Sequence, residues 1–306
     1  TYVVDWRPDA KSFYQTNKTS SMLDSSLWFK EGITYSAVTS RGTGFRYFPE
    51  GYMCDGAGPV INIDKKYLLE FLGFLNTKVA DLYLSVINPT INLTKNDLKS
   101  IPYILPNSDE LKRTVQEQID LAKEDWSESE TTFEFEIDPL VSISRKFNKK
   151  LISDCCDIYK NSIEEKYNRF EKNEHYITDT FKTLYKLNDY TFEYERRDIS
   201  IKDYSLKQAV TNLISYFIGC LMGRYSLEKN GLVYAGGKFD SNKYGDYLDE
   251  DGVLPVYQFV GINDGLTQSI CNLIKLVFGD AYYKNNLEFV ANSLGRKTDE
   301  GAIETI

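Results

Sequence analysis

The chain has 306 residues, 42% of them hydrophobic, 14% aromatic and 26% charged. That is enough apolar material for two or three cores, which excludes a disordered tail. The net charge of -9 argues against a binder that grips nucleic acid over its whole surface, because phosphate contacts need Lys and Arg.

The charge is uneven along the chain. Residues 1–110 carry 11 basic and 12 acidic groups, residues 111–200 carry 15 and 20, and residues 201–306 carry 10 and 13. The first stretch is therefore the least repulsive to a polyanion. Residues 1–30 are polar and loop-like, ending at Leu27-Trp28-Phe29. Short alternating stretches at Ile33–Val38, Phe45–Phe48 and Val60–Ile63, broken by glycines, predict β-strands and tight turns. Leu68, Leu72, Leu75, Val79, Leu82 and Val86 fall at steps of three and four, predicting one helix over Tyr67–Val86 that stops before Asn88-Pro89. Thr94 and Asp97 form a capping pair for a short turn, and Ile101–Ile104 reads as an edge strand.

Ser108 caps a predicted helix over Asp109–Lys123, and the stretch Glu124–Glu136 is acidic, interrupted by Trp126, Phe133 and Phe135. The aromatics are expected to pack against a neighbouring domain while the carboxylates face water. A long helix is expected over about residues 144–170. Ser205 and Gln208 make a capping-box pattern ahead of a helix with a wide apolar stripe, in which Gly219 and Gly223 suit close backbone approach and Arg224 suits an acid. Asn263-Asp264 is read as the cap of a last helix ending at Phe278. The loop Asp240–Asp251 has part of a calcium-loop spacing, but Tyr244 and Asp251 depart from it, so it reads as a solvated loop.

Five cysteines without metal or disulfide spacing, and a single His175 read as a surface residue, give no zinc set and fit a reducing cytoplasm. The longest apolar run, Leu213–Gly223, is far short of the ~20 residues that cross a membrane, so no membrane partner is expected. Thr1 is no initiator, no signal peptide opens the chain, and the last residues lack a polar tail, so the chain reads as part of a longer, cytoplasmic protein.

Several motifs now align. A helix with Leu75-Asn76-Thr77-Lys78 leads to Thr90-Ile91-Asn92, then Ile101-Pro102, then a helix with Glu117-Gln118. This order resembles the LNSK, T-x-N, IP and EQ elements of target-recognition domains in type I restriction specificity subunits, with Thr77 in place of Ser. Ala122–Phe135 (AKEDWSESETTFEF) and Ser215–Leu227 (SYFIGCLMGRYSL) resemble signature segments of PglX-like adenine-specific methyltransferases of BREX phage-exclusion systems. Departures are Ser127 for Asp, Phe133 for Trp and Glu228 for Asp. Gly32–Ser36 and Arg46–Gly51 resemble the recognition elements of the same family.

The resemblance implies an α+β chain: a DNA target-recognition lobe with a small mixed β-sheet over 1–106, a helical connector over 107–200 and a mainly helical C-terminal domain over 201–306. It implies double-stranded DNA as partner, a catalytic methyltransferase domain in the same parent chain, and other BREX proteins as further partners. S-adenosylmethionine is expected for the parent. The chain lacks the glycine-rich cofactor motif and the (N/D)PP(Y/F) motif, since Asn88-Pro89-Thr90 is not one, so no cofactor and no catalytic residue is expected here. Arg41 and Arg46, flanking a glycine-rich turn, with Thr39, Ser40, Asn76, Lys78 and Asn92, are the candidate DNA contacts: guanidinium groups suit phosphate or guanine, and Asn suits adenine. A type I or type IIG specificity module, or a protein-interaction scaffold, are the alternatives.

Overall fold

In the computed structural model the described residues are 3–19, 22–38, 44–54, 57–249, 254 and 265–306, apart from the side chain of Arg197. Two compact units form. One holds residues 2–121 and 168–200, the other residues 122–167 and 201–306.

The first unit opens with α1 (Pro8–Thr16), started by proline in its first turn and burying no residue. Strands β1 (Gly32–Tyr35), β2 (Phe45–Phe48) and β3 (Val60–Ile61) follow. They form a three-stranded sheet in the order β2-β1-β3, antiparallel at both pairings. Gly32 is required by sheet geometry, since a Cβ there would lie 2.6 Å from the Ile61 carbonyl oxygen. Strand periodicity puts Ile33, Tyr35 and Phe45 in the core, while Arg46, paired with Thr34, points outward.

The single helix expected over Tyr67–Val86 is two: α2 (Lys65–Leu75) and α3 (Lys78–Ile87). The reason is Thr77, whose hydroxyl accepts from the Ala80 amide and donates to the Phe74 carbonyl, ending one helix while starting the next. The Thr94–Asp97 pair caps α4 (Lys95–Ser100) as anticipated. Ile101–Ile104 forms no strand among the described residues. Instead the Tyr185 hydroxyl bridges it, donating to the Pro102 carbonyl and accepting from the Ile104 amide. Ser108 accepts from the Leu111 amide at the head of α5 (Asp109–Ser127).

The long helix expected near 144–170 is also divided, into α6 (Pro139–Phe147) and α7 (Ile152–Leu184). Asn148, in the left-handed region at φ 50°, ends α6, and Ser144 bonds back to Lys149. Both α5 and α7 supply residues to both units. The first unit's core gathers Ile33, Leu72, Phe74, Leu75, Val79, Leu111, Val115, Ile177 and Phe181, with Phe74 stacked on Tyr185 at 5.6 Å.

In the second unit α8 (Leu206–Leu221) is capped by Ser205, as its sequence pattern predicts. α9 (Leu266–Phe278) ends where expected, although Asn263 and Asp264 lie outside the described residues. α10 (Tyr283–Leu294) and α11 (Ala302–Thr305) complete the chain. Leu140, Val210, Tyr216, Phe217, Ile274, Phe278 and Val290 form this core. Gly219 serves the close approach its sequence context suggests: a Cβ would lie 2.6 Å from the Tyr225 ring.

The acidic aromatic segment corrects one expectation. Phe135 is buried against Tyr216 and Tyr225 within the second unit, whereas Trp126 and Phe133 are exposed. Its carboxylates do not all face water either. Glu128 receives Lys166 at 2.5 Å, Lys202 at 2.6 Å and the Tyr159 hydroxyl at 2.9 Å. Glu130 accepts from Ser215 and feels Arg224. In the loop from Asp240, the Asp240 carboxylate caps its own turn by accepting from Asn242, and Asp251 lies outside the described residues. No helix among the described residues is long and apolar enough to cross a membrane.

Candidate nucleic-acid interface

Of the seven candidate contacts, Thr39, Ser40 and Arg41 lie outside the described residues. In sequence they lie between Val38 and Gly44, where description ends and resumes. On one side Val38 bridges Asn92, and the Ala37 carbonyl accepts the Leu93 amide at 2.9 Å. On the other, the Asn76 side chain grips Phe45 like a neighbouring strand. Its Oδ1 accepts from the Phe45 amide at 3.0 Å, and its Nδ2 donates to the Phe45 carbonyl at 3.1 Å and to Leu72 at 3.2 Å. Both amide protons of Asn76 are thereby used within the fold.

Asn92 sits exposed on a turn that its own backbone helps close. Its carbonyl accepts from Asn88 Nδ2 at 2.7 Å, and the same Asn88 nitrogen reaches Asp97 at 2.7 Å. Asn88 Oδ1 accepts from the amide and hydroxyl of Thr90. The T-x-N motif is therefore a self-bonded turn that presents Asn92 beside Val38.

Arg46 and Lys78 come together in a mixed-charge cluster. Arg46 is exposed, and its Nη2 donates to Ser200 Oγ at 2.9 Å while Nη1 donates to the Phe45 carbonyl at 3.0 Å. Loss of hydration lowers the Arg46 pKa, and the field of Glu174 opposes that; the guanidinium stays charged. Lys78 pairs with Asp198 at 2.7 Å and lies 5.6 Å from the Tyr194 ring. Glu174, on α7, accepts from Gln118 Nε2 at 3.0 Å. Burial pushes Glu174 up to about 7, while Gln118, Arg46 and Lys78 pull it down and Asp81 pushes it up. Asp81 is pushed up to about 6, mainly by burial.

Sequence reasoning missed Asp81, Glu174, Asp198 and Ser200. Only the Glu117-Gln118 pair carried a signal: Gln118 holds Glu174, and Glu117 takes Arg169 at 2.5 Å. His175 is exposed as expected, with its ring 4.2 Å from Tyr194. Among the described residues no cluster of His, Cys, Asp and Glu could hold a metal ion.

Over its whole length the chain is a distant homologue of proteins named adenine-specific methyltransferases. Adenine-specific methyltransferase PglX of Lacticaseibacillus casei (strain Zhang) is 28% identical over 311 residues, covering 97% of this chain and 26% of that protein. Adenine-specific methyltransferase BrxX of Escherichia coli O9:H4 (strain HS) is 29% identical over 337 residues, covering 100% of this chain and 27% of that protein. The chain thus spans about a quarter of the length of the curated relatives it matches. No protein-family model matches it. The resemblance to PglX-like methyltransferases read from its motifs is borne out.

Proposed function

We propose that the chain is the DNA sequence-recognition part of an S-adenosylmethionine-dependent N6-adenine DNA methyltransferase acting in phage defence of the BREX type. The observation that carries this reading is the whole-chain relation to proteins named adenine-specific methyltransferases, of which the chain spans only about a quarter. The bonds at Val38 and Phe45, on either side of Arg41 in sequence, support it further.

In this reading residues 1–106 interrogate duplex DNA. Arg41 and Arg46 meet phosphate or the guanine edge, Thr39 and Ser40 add hydroxyl donors, and Asn92 stands beside the loop stem. Asn76 acts through the stem it braces, and Lys78 through its charge. The residues from 107 to 306 brace this lobe against the catalytic domain of the same parent chain and other BREX proteins, in the cytoplasm. When bound to the parent, S-adenosylmethionine supplies the methyl group for an adenine swung out of the stack. The amide of Asn88 is spent on Thr90, Asn92 and Asp97, so no step through the cofactor is assigned to this chain.

The test is salt-dependent binding of duplex DNA together with host adenine methylation read by single-molecule sequencing. Arg41→Ala or Arg46→Ala in the parent enzyme weakens binding by ~1–3 kcal/mol where the lost contact reads a base. Unchanged binding and methylation in both variants would remove these residues from the interface. The LNTK-to-EQ order equally suits a type I or type IIG specificity module, which a nuclease in the parent chain would reveal. The exposed Trp126 and Phe133 suit a protein-interaction scaffold, and such a scaffold would show no salt-dependent DNA binding.

A further inference from the structure

The turn between α6 and α7 stands apart in a chain of net charge -9. From Pro139 to Ser153 the sequence PLVSISRKFNKKLIS holds Arg145, Lys146, Lys149 and Lys150 and not one acid. The turn is also held from two sides. Asn148 takes the left-handed conformation, the Lys149 amide donates to the Ser144 carbonyl at 3.1 Å, and the Ser144 hydroxyl donates to the Lys149 carbonyl at 2.7 Å. From α10 comes Asn286, 1% exposed. Its Nδ2 donates to the Lys150 carbonyl at 2.8 Å, and its Oδ1 accepts from the Ile152 amide at 2.8 Å. A buried amide spent wholly on this backbone fixes where the basic side chains leave the fold, so little ordering is left for a ligand to impose.

Cations at a helix end commonly serve the last carbonyls of that helix. Here they divide. Arg145 is tied elsewhere, its Nη2 donating to the Leu227 carbonyl at 2.7 Å, and Lys149 pairs with Asp154 at 3.7 Å. Lys146 and Lys150 enter no ion pair among the described residues. Lys146 is exposed, with its Nζ 5.3 Å from the ring of Phe147, an aromatic side chain left half in water. Two unpaired cations beside an exposed ring, on a backbone that is already fixed, suit a polyanion that also offers apolar surface. We propose that this turn is a contact for the sugar–phosphate backbone of duplex DNA, with Lys146 and Lys150 neutralising phosphates and Phe147 lying against a sugar. This rests on the DNA-recognition reading and gives the second unit a part in it beyond bracing. Backbone contacts carry no sequence information, so the turn adds affinity while the choice of bases stays with residues 1–106.

The test is fluorescence anisotropy of a labelled random-sequence duplex with the 306-residue chain, over a series of salt concentrations. Lys146→Gln combined with Lys150→Gln binds about tenfold more weakly at about 0.1 M salt, and the slope of log affinity against log salt shrinks by about 2, roughly 0.9 for each lost phosphate contact. Lys207→Gln combined with Lys238→Gln removes the same charge from two exposed positions of the second unit outside the turn and leaves the slope near the wild-type value. Salt-dependent binding whose slope is unchanged in the turn variant, or changed equally in both double variants, overturns the proposal while leaving DNA recognition standing. So does binding to phosphatidylserine vesicles that the turn variant alone loses while it keeps duplex affinity, which would assign the turn to a lipid surface. Absence of salt-dependent duplex binding by the wild type and every variant overturns the recognition reading and this proposal together.

Discussion

Replacing Asp138 with Asn probes a deeply buried carboxyl. Asp138 is 2% exposed and caps α6 by accepting from the amides of Leu140 at 2.9 Å and Val141 at 3.3 Å. Burial pushes its pKa up from 3.8 to about 7; the two amides pull it down, and Glu130 and Glu128 push it up. An acid whose folded pKa is raised contributes full stability below its unfolded pKa and loses it as pH rises through the folded value. The window therefore runs from about pH 4 to pH 7. The whole gap corresponds to about 4 kcal/mol, of which about 3 kcal/mol falls between pH 5 and pH 8. Asn caps helices about as well as Asp and carries no charge. Asp138→Asn should therefore be near wild type at pH 4, about 1–2 kcal/mol more stable at pH 5 and progressively more stable towards pH 8. Differential scanning fluorimetry across this range should show the melting temperature of the variant gaining about 6–10 °C on the wild type. A difference that stays flat with pH would refute the reasoning, because it would mean the Asp138 carboxyl titrates normally in the folded chain.

Three further substitutions test the packing that supports the interface and the cores. Asn76→Ala removes two hydrogen bonds that tie β2 to the end of α2 and a third within α2; urea unfolding should show a loss of about 1–3 kcal/mol, and a neutral result would deny Asn76 its bracing role. Gly73→Ala sets a Cβ 2.7 Å from Val115 Cγ2, which should cost about 1–3 kcal/mol by overpacking; stabilisation of the variant would contradict the geometry. Lys166, 4% exposed, meets Glu128 at 2.5 Å and Glu124 at 3.4 Å. Lys166→Ala should cost about 3 kcal/mol in chemical denaturation, since Glu128 stays buried with one cation fewer; a loss below about 1 kcal/mol would show that Lys202 alone suffices.

How far the sequence foretold this molecule depended on whether the signal was local. Thr94 with Asp97, Ser108 and Ser205 were legible as caps because a cap is written within four residues of the helix it starts. Strands at 33–35 and 45–48 were legible from period-two alternation. The breaks at Asn76-Thr77 and around Asn148 were not, since the apolar steps continue across them while a side chain or a left-handed residue resets the backbone. α1 escaped notice because it buries nothing and so shows no apolar stripe. Near Arg46, Glu174 and Asp198 were invisible for a different reason: they lie far along the chain, and only tertiary packing brings them to β2. Asn76 read as a free donor suited to adenine, yet the structure turns its amide inward to the β2 backbone.

The bonds made at Val38 and Phe45 have an evolutionary consequence. Val38 is held by Asn92, and Phe45 by Asn76, so neither anchor is drawn from the six residues between them. Closing a loop on preset ends costs little more when its length or content changes. Replacements between Val38 and Phe45 can therefore accumulate while the bonds at both ends, and the residues that supply them, stay as they are.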